Sequence, residues 1–165
     1  MKLFFRVLCG VLLLCVCITP CFAQGRVGKF GVGIKDIITE EEAFALVGRY
    51  WASDRLTLDG NFGFHYIDRD KEEDTKRFLI GVGINQYLFA PEKFSPFVGF
   101  DFLMRVDDKE KGETDTTAEL DAKFGGEYFI VKNFSITGET LLRLRFGEEY
   151  EFGTGGRIGV IFYWN

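Results

Sequence analysis

Few side chains in this sequence have the chemistry for catalysis or metal binding, and their spacing narrows the choice further. There is one histidine, His65, and the acids nearest to it downstream are Asp68, Asp70, Glu72, Glu73 and Asp74. Acyl chemistry on an imidazole needs a hydroxyl or activated water and an orienting acid within about 3 Å. His65 has no serine in its own run and shares its parity with Asp59 and Asn61. We therefore expect a hydrogen-bonding histidine, no catalytic residues and no enzymatic activity. Carboxylates at 68, 70 and 72 look like the start of a calcium loop, but the sixth-position glycine and twelfth-position glutamate are missing. No metal site is expected. Gly28-Lys29-Phe30-Gly31-Val32-Gly33 and Gly153-Thr154-Gly155-Gly156 lack the strand–loop–helix setting and acidic partner of a dinucleotide site, so no cofactor is expected either. A net charge of −5 opposes nucleic-acid binding, which needs a basic face.

The remaining chemistry lies in charged residues that recur at every second position. In 55–66, Leu56, Leu58, Gly60, Phe62, Phe64 and Tyr66 share one face, and Thr57, Asp59, Asn61, Gly63 and His65 share the other. In 117–130, Ala118, Leu120, Ala122, Phe124, Gly126, Tyr128 and Ile130 oppose Glu119, Asp121, Lys123 and Glu127. In 134–146, Phe134, Ile136, Leu142, Leu144 and Phe146 oppose Glu139, Arg143 and Arg145. Looser versions cover 26–34, 43–52, 76–89, 96–106 and 154–164, which predicts eight strands. With 20 Gly and 19 Phe among 165 residues, a β architecture is favoured over a helical bundle, because Gly costs a helix about 1 kcal/mol against Ala.

The links alternate in length. Residues 35–42, 67–75, 107–115 and 147–153 are long and acidic, whereas 53–54, 90–94 and 131–133 are short. That is the layout of an up-and-down meander with both ends on one rim. At about 10 residues per tilted strand, eight strands can each cross a bilayer.

Alternation alone leaves open which face points outward, and a lipocalin-like binder would reverse the faces. The polar face nearly balances Lys29, Arg49, Arg77, Arg105, Lys123, Arg143, Arg145 and Arg157 against Asp59, Asp101, Glu119, Asp121, Glu127 and Glu139. Such a balance suits an enclosed interior where charges must pair. The apolar face holds most of the phenylalanine and ends in Tyr50, Tyr66, Tyr128 and Trp164, which suits an aromatic girdle against lipid. We therefore predict a lumen charge network inside and a lipid-facing belt outside. An eight-stranded barrel is only just wide enough for side chains to fill, so the paired charges should plug it.

Residues 1–23 form a separate unit. Lys2 and Arg6 precede an uncharged run from Val7 to Ile18, then Pro20, and the segment closes on Ala23. This predicts a Sec signal peptide cleaved before Gln24. All four cysteines (Cys9, Cys15, Cys17 and Cys21) lie within it, leaving a barrel domain over 24–165 without disulfides.

Two stretches carry a resemblance. Residues 81–102 run strand, short turn, strand, with Ser95-Pro96-Phe97-Val98-Gly99 opening the second strand. Residues 157–164 place Arg157, Gly159, Phe162 and Trp164 in the order polar, Gly, hydrophobic, hydrophobic. On these the chain resembles the small OmpA/OmpX-like outer membrane protein beta-barrel domain family of Gram-negative bacteria. It departs from many members in ending on Asn165 instead of the aromatic itself. The resemblance implies an outer-membrane location and a monomer in contact with membrane lipid and lipopolysaccharide. It also implies a C-terminal assembly signal (Arg157, Gly159, Phe162, Trp164) read by the barrel assembly machinery. A lipid A-modifying enzyme, a small-solute channel and a periplasmic lipocalin-like binder are the alternatives.

Overall fold

The computed structural model describes residues 26–38, 43–67, 75–89, 93–109, 114–147 and 150–164. The segment read as a signal peptide and the acidic run 68–74 lie outside them. The described residues form eight antiparallel strands: β1 Phe30–Ile38, β2 Ala43–Ser53, β3 Leu56–Ile67, β4 Thr75–Tyr87, β5 Phe94–Lys109, β6 Thr114–Val131, β7 Phe134–Phe146 and β8 Tyr150–Trp164. Each pairs with its neighbour in sequence, and β1 pairs with β8 to close a barrel. The closing register sets Phe30 opposite Trp164 and Val32 opposite Phe162. Closure leaves no free sheet edge, so every strand has two hydrogen-bonded neighbours.

The faces divide as the alternation predicts. On β3, Thr57, Asp59 and Asn61 are buried inside while Leu58, Phe62 and Phe64 are about half exposed outside. Outward-facing Ile80, Val82, Phe102, Phe124 and Ile158 continue that apolar belt around the wall. The interior has room for its side chains partly because of inward glycines. A Cβ on Gly83 would sit 1.9 Å from Asp101 Oδ1, and one on Gly99 would sit 2.3 Å from the Ile84 carbonyl oxygen.

Several strand ends differ from the sequence reading. β1 runs over 30–38 instead of 26–34, and several long links shrink because their strands continue. β5 and β6 reach 16 and 18 residues, beyond the 9–11 that about 30 Å of hydrocarbon requires. Asp36, Asp107, Asp108, Asp115 and Glu151, read as loop acids, therefore lie on strands. The cause is that consecutive charges such as Lys35-Asp36 and Asp107-Asp108 put one member of each pair on the otherwise apolar face, which breaks the alternation and looks like loop.

Candidate functional site

The candidate site is the lumen and its two rims. At the short-turn end the inward side chains are apolar: Val47, Trp51, Tyr87, Phe97, Phe129, Ile161 and Tyr163 form one buried cluster. The Trp51 and Tyr87 rings stack with centroids 4.7 Å apart, and the Arg26 guanidinium lies 3.7 Å from the Phe129 ring centroid. Glu127 marks the boundary between this cluster and the charged layer above. Its carboxylate accepts hydrogen bonds from Tyr87 and Ser135 hydroxyls at 2.5 Å, from Tyr163 at 2.6 Å and from Arg49 Nη1 at 3.1 Å. Four donors on one fully buried carboxylate satisfy a group that would otherwise be costly to enclose.

Above it the charges interlock. Arg49 holds Asp59 with two bonds of 2.7 Å. Lys35 bridges Asp59 at 3.3 Å and Glu139 at 2.7 Å. Asn85 donates to Asp59 at 3.1 Å and to Thr57 at 2.9 Å. Lys123 donates to Asp101 at 2.5 Å, and the Arg157 guanidinium spans Asp101 and Asp121. Arg143 Nε meets Asp121 at 3.0 Å and Glu119 at 2.8 Å. Toward the long-loop rim, Arg145 pairs with Glu119 at 3.0 Å and Glu151 at 3.2 Å. Arg105 stands 3.8 Å from Glu119, and Arg77 pairs with Asp107 at 2.7 Å. The side chains of Arg49, Asp59, Asp101, Lys123 and Glu139 have no exposed surface. Every unit charge in this layer has an opposite partner, the condition under which ions tolerate a low-dielectric interior.

The expected lumen residues on β2, β3 and β5 to β8 thus come together, with one correction. Lys29 precedes β1 on the short-turn rim and takes no part in the ion ladder. Lys35, read as the start of a loop, holds the β1 lumen position instead, and its side chain is 2% exposed. Its signal was the parity Gly31, Gly33, Lys35, which the Lys35-Asp36 charge pair disguised. The apolar cluster was also missed, since aromatics on both faces of a strand end erase the alternation there. Parity still pointed to it, because Trp51 follows Arg49, and Phe129 follows Glu127, by two residues.

The assembly-signal residues divide by face. Arg157 and Gly159 point inward, whereas Phe162 and Trp164 are about half exposed on the outer wall. His65 sits on β3 in register with Arg77, and its side chain lies outside the described residues. Among the described residues no group of three or more His, Cys, Asp or Glu side chains is placed to hold a metal ion.

The sequence matches no protein-family model and no curated protein. Solved structures do match by fold. The N-terminal β-barrel domain of OprF from Pseudomonas aeruginosa superposes with a TM-score of 0.62 at 14% identity, covering 84% of this chain and 98% of that one. Neisserial surface protein A superposes with a TM-score of 0.56 at 13% identity, over 82% of this chain and 95% of that one. At these identities the likeness is one of fold, and the fold is that of the small eight-stranded outer-membrane barrels the sequence resembles.

Proposed function

We propose that this chain is a monomeric outer-membrane barrel without enzymatic activity, serving envelope structure or surface contact through its long acidic loops. One observation carries the reading. A continuous apolar belt surrounds a lumen whose charges are paired side chain to side chain, and aromatics close its lower end. The belt suits lipid, and the interior resembles a packed polar core more than an ion path or a ligand cavity. A lipocalin-like binder needs the opposite arrangement of faces.

On this reading residues 1–23 export the chain and are removed, and the barrel assembly machinery recognises β8. The short turns face the periplasm, as in other outer-membrane barrels, and the long loops face outward toward lipopolysaccharide. The described lumen offers buried serine and threonine hydroxyls such as Ser135, but this one donates to Glu127.

The test is expression of the full chain in a Gram-negative host, followed by fractionation and mass analysis of lipid A. The expected result is protein in the outer-membrane fraction with unchanged lipid A masses. A soluble periplasmic product overturns the membrane reading. Acyl loss or gain that disappears in His65→Ala overturns the non-enzymatic one.

A further inference from the structure

The outer wall is apolar all round near the short-turn rim, but higher up it is uneven. Asp36 is the first irregularity. Lys35 takes the inward position on β1, so Asp36 points outward in line with Phe30, Val32 and Ile34. The register sets it between two outward apolar residues, Phe44 on β2 and Ile158 on β8. Among the described residues no hydrogen bond or ion pair holds its carboxylate.

Its height makes the position unusual. Asp36 stands six residues beyond Phe30, which pairs with Trp164 at the short-turn girdle. At about 3.3 Å per residue and a tilt of about 40°, six residues rise about 15 Å, well inside a belt about 25 Å tall. Asp108 also points outward, but it lies fourteen residues beyond Phe94 and in register with Lys76. That is about 35 Å up, above the belt. A carboxylate at the depth of Asp36 is costly unless polar groups or water reach it.

The neighbouring wall is polar too. Gly156 and Thr154 follow Ile158 up the outward face of β8, and Gly138 and Thr140 interrupt that of β7. Ile158 opposes both Asp36 and Gly138, and Gly156 opposes both Ile38 and Thr140, so these positions form one patch. Six to ten residues from their short-turn ends, β3 and β5 instead carry Phe62, Phe64, Phe102 and Met104, each about half exposed.

We propose that Asp36, Thr140 and Thr154 mark a polar notch in the upper belt over β7, β8 and β1, into which headgroups and water of the leaflet on the long-loop side descend. The bilayer is thereby thinned on one side of the barrel. The proposal rests on the membrane reading above and adds a lipid-deforming face to it. Local thinning is the ordinary answer to an apolar stretch shorter than the hydrocarbon, and its cost is modest. A second copy packed about a twofold axis on this face would instead bring two Asp36 carboxylates toward each other.

Ile158 lies in the notch six residues from Trp164, and Phe100 lies six residues from Phe94 on β5. Because the chain after residue 23 has no cysteine, Ile158→Cys and Phe100→Cys each give one labelling site. Each is spin-labelled in vesicles of dioleoyl phosphatidylcholine, and nitroxide collisions with a water-soluble nickel chelate and with oxygen are compared. The expected result is several-fold greater nickel access at 158 than at 100, falling to the level at 100 in Asp36→Leu/Thr140→Val/Thr154→Val. Equal, low nickel access at both positions overturns the notch and leaves the membrane reading intact. Nickel access at 158 that persists in the triple variant overturns the assignment to these three side chains. Nickel access as high at 100 as at 158 overturns the membrane reading and the notch with it. Low access to both reagents at 158 with spin–spin broadening gives the face to a second copy and overturns the lipid assignment.

Discussion

Replacing Asp101 by Asn removes one negative charge where Lys123 Nζ stands at 2.5 Å and the Arg157 guanidinium is also bound. Neither the Asp101 nor the Lys123 side chain has exposed surface. Arg157 keeps Asp121, but Asp101 is the one carboxylate within ion-pair distance of Lys123 among the described residues. The variant therefore leaves one buried cation uncompensated, a change that costs about 3–5 kcal/mol. That is about two to four decades in the unfolding equilibrium. With a urea dependence of about 1–3 kcal/mol per molar, the midpoint should fall by about 1 M or more. Adding Lys123→Met removes the stranded charge, and the double variant should recover at least about 2 kcal/mol of the loss, because paired buried ions are often replaceable together. Urea titration of the refolded barrel in liposomes, followed by Trp51 fluorescence, measures all three variants. A cost below about 1 kcal/mol for Asp101→Asn, with a further loss on adding Lys123→Met, would refute the tightly paired lumen. It would mean that water reaches these groups.

Other positions test other parts of the molecule. Phe62, half exposed near the middle of β3, should cost about 2–4 kcal/mol as Phe62→Arg, with Phe62→Leu nearly silent in the same titration. Gly99→Ala brings a Cβ within 2.3 Å of the Ile84 carbonyl oxygen, so it should destabilise by about 1–3 kcal/mol through backbone displacement. Trp164→Asp should accumulate unassembled, protease-sensitive chain in cells, and normal assembly would count against the role given to β8. The purified barrel should leave lipid A masses unchanged when incubated with lipopolysaccharide, and acyl loss or gain that disappears in His65→Ala would contradict it.

How much of this was legible in the sequence depended on whether the two faces differ chemically. Where they do, as in 56–64 and 117–128, strand, face and partner all follow from alternation. Within 56–64 and 117–128 both faces carry their expected occupants. Legibility failed where the faces converge. Near Trp51, Tyr87, Phe97 and Phe129 apolar side chains occupy both sides, so the interior plug could not be separated from the girdle by pattern alone. Charge runs misled in the opposite direction. Lys35-Asp36 and Asp107-Asp108 looked like solvated links, yet Lys35 lies at the centre of the ion ladder and Asp107 pairs with Arg77. The pairing itself was unreadable, since Lys35 and Glu139 stand 104 residues apart and only barrel closure brings them together.

The central claim is that one face of every strand meets lipid and the other a closed interior. The chain after residue 23 has no cysteine, so single cysteines can be placed along β3 from 57 to 64 and spin-labelled without a competing thiol. Nitroxide collision with oxygen and with a water-soluble nickel chelate is then read in liposomes. Oxygen maxima are expected at 58, 60, 62 and 64, with low access to both reagents at 57, 59 and 61. Oxygen maxima at 57, 59 and 61, or nickel access at those inward positions, would contradict it.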